Sequence, residues 1–246
     1  MFNSQSLKGT RVVIVGASSG TGRAVARAAS ANGAHVFLMS RTRPKLEKVR
    51  EELRGPAEVI ALNMLDEASV AEAFSALGKI DHLVVTAVAD ENKLRSPLGD
   101  MSTQVAMRGM EKFWGSFFVC RAAAPLLSKT GSITLTSSVS ILKPSATGGV
   151  SVMSAASGAV ATFGCTLAAE LAPIRVNVIA PGVVNTGVWE ESSEQQRTEL
   201  RTWAKSSLPV KHLAEPEEVA GAFIALMLNP YITGALLPVD GGLSLT

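Results

Sequence analysis

Three glycines in the run Gly16-Ala17-Ser18-Ser19-Gly20-Thr21-Gly22 are spaced to hold a phosphate. The run follows a β-branched apolar stretch at residues 11–15 and opens a helical pattern at residues 21–31, and that context gives the spacing its meaning. Gly16 allows the tight turn out of the strand. Gly20 and Gly22 let backbone approach a ligand and let the helix pack closely on the sheet. Free N–H groups around Ser18, Ser19 and Thr21, with the helix dipole behind them, suit a pyrophosphate. The plainer alternative is a glycine turn without a ligand.

Two further groups carry chemistry. The second strand ends Met39-Ser40-Arg41-Thr42-Arg43, with no acid that could accept from the 2′-hydroxyl of an adenosine ribose. Ser40 with Arg41 suits a 2′-phosphate, because a guanidinium pairs with phosphate through forked, charge-assisted bonds. That points to NADP(H); the plain alternative is a solvated basic loop. Arg43 reads as solvent-facing. Farther on, Ser132-Ile133-Thr134-Leu135-Thr136-Ser137-Ser138 is a strand that ends in paired hydroxyls. The last of them, Ser138, reads by itself as an ordinary strand-end serine.

The elements that position these residues alternate from end to end. Strand patterns are expected at 11–15, 36–40, 58–62, 80–87, 132–137, 175–180 and 235–239, each short, apolar and β-branched. Helical patterns are expected at 21–31, at 44–54 opened by Pro44, at 68–77 capped by Asp66, at about 101–127, at 151–172 and at 216–228. Such alternation, with strands apolar on both faces, predicts a parallel sheet covered by helices on both sides. The expected fold is therefore α/β, one doubly wound Rossmann-type domain over residues 1–246. The polar stretch 187–213, with Trp189 and Trp203, reads as an excursion that covers a substrate.

Composition excludes other classes. At 246 residues, 47% apolar and 18% charged, the chain can bury a full core. No run reaches the roughly 18 apolar residues of a membrane span, so no membrane partner is expected. The first residues lack a basic segment followed by an apolar one, so no signal peptide is expected. A net charge of +2 from dispersed residues gives no case for nucleic acid. Cys120 and Cys165 lie in apolar helical stretches and read as buried and unpaired, which fits a reducing cytoplasm. His35, His82 and His212 are scattered, without the spacing of a metal site.

Over nearly its whole length the chain resembles the short-chain dehydrogenase/reductase family. Beyond the glycine run, the resemblance rests on Asp81-His82-Leu83-Val84, on Gly115-Ser116-Phe117 and on Arg175-Val176-Asn177 leading into Pro181-Gly182-Val183-Val184-Asn185-Thr186. The tail from Ile232-Thr233-Gly234 to Val239-Asp240-Gly241-Gly242 completes it. The resemblance implies a sheet of seven parallel strands, a nicotinamide cofactor, a small-molecule substrate, and a homodimer or homotetramer packed partly through the two long helices. It places cofactor contacts on Gly16, Ser18, Ser19, Gly20, Thr21, Gly22 and Arg41. It places Asn63 and Met64 beside the adenine, and Pro181, Gly182, Val184 and Thr186 beside the nicotinamide. Of the family's Asn-Asn-Ala-Gly, here Val85-Thr86-Ala87-Val88, only Ala87 matches.

The family's chemistry uses a tyrosine as acid–base, a lysine four residues on, a serine and an asparagine. Ser138 matches the serine. Aligned with a loop two residues longer than usual, Met153 falls at the tyrosine and Ser157 at the lysine. Without that insertion Ser151 and Ala155 fall there, and the pair is still missing. The sole tyrosine is Tyr231. Counting back from Gly115, the asparagine position holds Lys112. Lys112 is either a surface or ribose-phosphate lysine, or a relocated cation that takes over part of the missing lysine's task. Two functions follow: an NADP(H)-dependent oxidoreductase of carbonyls or alcohols with a rebuilt proton-transfer set, or an NADP(H)-binding sensor, partner subunit or scaffold with little turnover.

Overall fold

The structure is a computed structural model, and it describes residues 6–87, 94–144, 149–186 and 193–246. Seven parallel strands form one sheet in the order β3-β2-β1-β4-β5-β6-β7. They are β1 (Arg11–Val15), β2 (His35–Ser40), β3 (Ala57–Ala61), β4 (Ile80–Val85), β5 (Leu127–Thr136), β6 (Arg175–Pro181) and β7 (Leu236–Val239). The helices are α1 (Gly20–Ala31), α2 (Arg43–Glu52), α3 (Glu67–Ser75), α4 (Thr103–Gly109), α5 (Glu111–Ala123), α6 (Ser151–Glu170), α7 (Glu194–Ser207) and α8 (Pro216–Leu228).

Strand alternation builds two cores, one on each face. On β1, Val13 and Val15 point into a core with Phe74 of α3, Val119 of α5 and Val160 of α6. Val12 and Ile14 point the other way, into a core with Val25 of α1, Leu46 of α2 and Phe223 of α8. That is the doubly wound arrangement expected from strands apolar on both faces. Chain order reverses between β1 and β4, and a crevice opens outside their carboxyl ends. Arg175, 8% exposed, ties the last strands to α8: its guanidinium donates to the carbonyls of Leu226, Met227 and Ile232. Its bonds to Leu226 and Met227 close the C-terminal end of the helix, where carbonyls lack partners.

Four sequence expectations need correction. The long helix expected at 101–127 is two helices, α4 and α5, broken at Met110. Gly109 lies at the break, where a Cβ would stand 2.7 Å from Val152 Cγ1, so the close approach to α6 requires glycine, a poor helix former. The last turn gives way at Pro125. The second correction is α7, which occupies much of the supposed polar excursion. It starts on a capping box in which Ser193 accepts from Gln196 N and the Gln196 side chain accepts from Ser193 N. Trp203 on α7 is half-buried; Trp189 and Val88 lie outside the described residues. Third, Cys120 is buried but Cys165 is exposed; both are free thiols. The buried face of α6 runs through Val160, Ala161, Gly164 and Leu167, and Cys165 falls off that stripe. Fourth, α6 is long and apolar enough to cross a membrane by length and composition, yet it packs on β5, β6 and α5 as a covering helix of the sheet.

Candidate active site

The crevice outside the carboxyl ends of the central strands is a cavity of about 640 Å³. Its floor is the glycine turn. Gly16 has φ +100°, and a Cβ there would lie 2.5 Å from Ala87 N and 2.7 Å from Thr86 Oγ1. A Cβ on Gly22 would collide with the carbonyl oxygen of Gly16. Ser19 takes the N-cap position of α1 without a side-chain cap bond, and the first turn holds no acid. The first-turn N–H groups, which no helical carbonyl can satisfy, therefore remain for a ligand. Gly20 has φ +51° and packs on Thr186, which brings the far wall of the cavity down to α1.

One end of the cavity lies at the tip of β2 and is lined by Ser40, Arg41, Thr42 and Lys45. No carboxylate among the described residues pairs with Arg41. Arg43, by contrast, reaches Glu47 at 3.3 Å and faces solvent. Asn63 and Met64, after β3, line the same end, and Met64 fills the space left open by Gly115 of α5.

The other end lies beyond β5. Ser137 N donates to Ile179 O at 2.7 Å and Ser137 Oγ donates to Ser157 O at 2.8 Å, so the end of the strand is held to β6 and to α6. Ser138 leaves the strand in extended conformation, and its Oγ accepts from Ser140 N at 3.2 Å. Lys112, in the first turn of α5, is only 6% exposed. Its Nζ donates to Ser137 O at 2.8 Å and to Ser157 Oγ at 3.3 Å. Ser116, one turn on, donates to the Lys112 carbonyl at 2.7 Å and shares its face. An ammonium is thus fixed between α5, β5 and α6, beside Ser138, with both lining the cavity.

A family model described as enoyl-(acyl carrier protein) reductase matches residues 16–244. The chain belongs to the short-chain dehydrogenase/reductase family. It is 32% identical over 243 residues to a 3-oxoacyl-[acyl-carrier-protein] reductase of Bos taurus, covering 95% of this chain and 97% of that one. It is 34% identical over 263 residues to a glucose 1-dehydrogenase of Gluconobacter oxydans, covering 96% and 92%. Among solved structures, a small-chain dehydrogenase in complex with NADPH superposes with a TM-score of 0.78 at 30% identity, covering 96% of this chain and 99% of that one.

Every residue to which the family resemblance gives a cofactor contact, together with Ser138 and Lys112, lines this one cavity. Gly16, Ser18, Ser19, Gly20, Thr21 and Gly22 form the floor, and Arg41, Asn63 and Met64 one end. Ala87 stands beside the floor, Pro181, Gly182, Val184 and Thr186 form the far wall, and Ser138 and Lys112 the other end. On α6, Met153 is half-buried and Ser157, one turn later, is 3% exposed and bonded to Lys112. Tyr231 is 96% exposed and lines no part of the cavity. Among the described residues of 193–213, none lines it either. Sequence reasoning missed four charged lining residues: Lys45, Arg95, Arg108 and Glu111. Lys45 had a signal, since it sits in the first turn of a helix that starts at the β2 tip. The other three had none, because Arg108 and Glu111 owe their place to the break between α4 and α5, and Arg95 to a loop held by the bond from Ser96 N to Gly149 O.

Proposed function

We propose that this short-chain dehydrogenase/reductase is an NADP(H)-dependent oxidoreductase of a carbonyl or alcohol substrate, with Ser138 and Lys112 as its proton-transfer set. The observation that carries the reading is the Lys112 ammonium at the chemical end of the cavity, bonded to the Ser157 hydroxyl where the family resemblance expects a lysine. The residues present fit a dinucleotide phosphate. The floor is a glycine turn packed against the end of β4, where neither Gly16 nor Gly22 can carry a Cβ, the α1 N-terminus above it is uncapped, and Arg41 has no carboxylate partner among the described residues.

In this reading Gly16 to Gly22 hold the pyrophosphate, and Arg41 with Lys45 holds the 2′-phosphate. Asn63, Met64 and Ala87 bound the adenosine, and Pro181, Gly182, Val184 and Thr186 the nicotinamide. The bound nicotinamide supplies hydride transfer. Ser138 Oγ accepts from Ser140 N, which leaves its own hydrogen to donate to the substrate oxygen. Lys112 Nζ holds the nicotinamide ribose or supplies the proton to that oxygen. A homodimer or homotetramer fits the half-exposed Trp114 on α5, and a reducing cytoplasm fits two free thiols.

Cofactor titration tests the reading. NADPH should bind more tightly than NADH, and Arg41→Ala should remove a charge-assisted phosphate pair of about 1.5–3 kcal/mol, roughly tenfold or more in affinity for NADPH alone. Equal affinities for the wild type would refute it. A screen of carbonyl compounds, followed by NADPH absorbance, then finds the substrate. One observation favours the second reading, an NADP(H)-binding sensor, partner subunit or scaffold with little turnover. The only tyrosine lies in solvent, so no phenol serves as an acid in this cavity.

A further inference from the structure

Among the described residues, the cavity lining holds five cations, Arg41, Lys45, Arg95, Arg108 and Lys112, and one carboxylate, Glu111. Two of the cations belong to the β2 tip. Arg95 and Arg108 come from the other side. Ser96 N donates to Gly149 O at 3.2 Å, which holds the Arg95 segment against the turn that leads into α6. Gly109 packs on Val152 in the first turn of α6, which places Arg108 beside the same helix. β2 and β4 are two positions apart in the sheet, and β2 and β5 three. At about 4.8 Å per strand the two cation groups stand roughly 10 to 14 Å apart, too far for one phosphate to use both.

Within the second group the cations are not equivalent. Arg108 Nε donates to Glu111 Oε1 at 3.2 Å, so its charge is already paired. Lys112 is held by Ser137 and Ser157. Arg95 is exposed, lines the cavity and has no ion pair among the described residues. A planar guanidinium in that setting is built to take a carboxylate through two parallel bonds.

We infer that Arg95 anchors an anionic group on the substrate, so that the site takes oxo acids in preference to neutral carbonyl compounds. The inference rests on the oxidoreductase reading for the carbonyl alone; the anion site stands without it. The surrounding positive field raises the local concentration of such acids at the cavity mouth, an effect that salt weakens.

The test uses the full chain and a series of oxo acids from 2-oxobutanoate to 6-oxoheptanoate, each with its methyl ester. Binding is followed by saturation-transfer NMR with and without NADPH, and cofactor affinity by fluorescence titration. The wild type should bind at least one acid about tenfold more tightly than its ester. Arg95→Gln should abolish that difference and leave NADPH affinity within twofold, and Arg95→Lys should restore part of it. Equal binding of acids and esters, or no binding of any acid, overturns the inference. Loss of NADPH affinity in Arg95→Gln overturns it too, since the anion is then a cofactor phosphate. If the acids bind but none is reduced, the anion site stands and the oxidoreductase reading falls.

Discussion

Replacing Lys112 by methionine separates the roles of this residue in stability and in chemistry. The side chain is 6% exposed, and its Nζ donates to Ser137 O at 2.8 Å and to Ser157 Oγ at 3.3 Å. Removing the ammonium takes away these charged hydrogen bonds to described residues, each worth about 1.5–3 kcal/mol. It also removes the desolvation penalty of a buried ion, which in proteins is several kcal/mol. The two effects oppose each other and are of similar size, and methionine fills a similar volume. The net change should stay within about 2 kcal/mol, a shift of several degrees at most in the melting temperature of a domain this size. The chemical effect is not offset in this way. Loss of one acid–base group should lower turnover at least about tenfold, or about 1.4 kcal/mol in the barrier. The assay is kcat and KM with NADPH and the substrate found by screening, with the NADPH dissociation constant and the melting temperature measured alongside. If Lys112 is the acid, kcat falls while cofactor affinity holds. If it only clamps the ribose, both fall. Lys112→Arg keeps the charge but cannot release a proton near neutral pH, so it should rescue cofactor affinity and not turnover. Unchanged turnover together with unchanged NADPH affinity in Lys112→Met would refute the reasoning and leave the binding-protein reading in front.

Two other perturbations follow from the geometry. Gly22→Ala should weaken both the fold and NADPH binding despite better helix propensity, because its Cβ meets the Gly16 carbonyl and Thr86 Oγ1; overpacking of this kind costs about 1–3 kcal/mol. Gly158→Ala is the control, since its Cβ would meet only Ile141 Cγ2 at 3.9 Å, and denaturant unfolding should show it neutral or stabilised. His82 tests the core electrostatics: burial, and then the Arg175 charge, push its imidazole down to about 4 from 6.5. The folded protein therefore holds His82 neutral while the unfolded chain takes up a proton below about 6.5. Stability from this group is full above that pH and falls as pH drops toward 4, by about 3 kcal/mol across the window. His82→Asn should flatten the slope of unfolding free energy against pH between 6.5 and 4, and parallel curves for the two proteins would contradict the assignment.

The strands were legible because each is short, β-branched and apolar on both faces, a pattern that only a buried parallel sheet satisfies. Observed strand ends fall within two residues of the expected ones everywhere except the start of β5, where Leu127 to Gly131 carry polar residues that hide the pairing with β4. The glycine turn was legible because its constraint is local: Gly16 and Gly22 are required by backbone atoms a few residues away or on the adjoining strand. The break at Met110 was not, because it depends on Gly109 meeting Val152 on another helix. α7 was hidden by its polarity, since only Leu200, Trp203 and Ala204 mark a face and Ala204 alone is fully buried. Arg95 and Arg108 were hidden for the same reason as the break. Nothing in a loop arginine or in the second turn of a polar helix says which cavity it will reach.

The geometry around Ser157 suits the proposal that Lys112 stands in for a lysine on α6. α5 and α6 pack side by side on the same face of the sheet, and both pass the carboxyl end of β5. Lys112 of α5 and Ser157 of α6 face each other across that gap, with Ser137 at its base. The chemistry constrains the position of the ammonium, not the Cα that carries it. A lysine stem from α5 fills the gap that a lysine on α6 would fill, and a serine on α6 becomes its hydrogen-bond acceptor. Two full lysines would bring like charges together in a space already closed to water, so only one of the two positions can hold the cation. The glycine floor has no such freedom, because a Cβ on Gly16 or Gly22 is excluded by backbone of the turn itself or of the adjoining strand. In the proposed reading the nucleotide floor therefore stays unchanged while the residues that move protons pass from one wall to another.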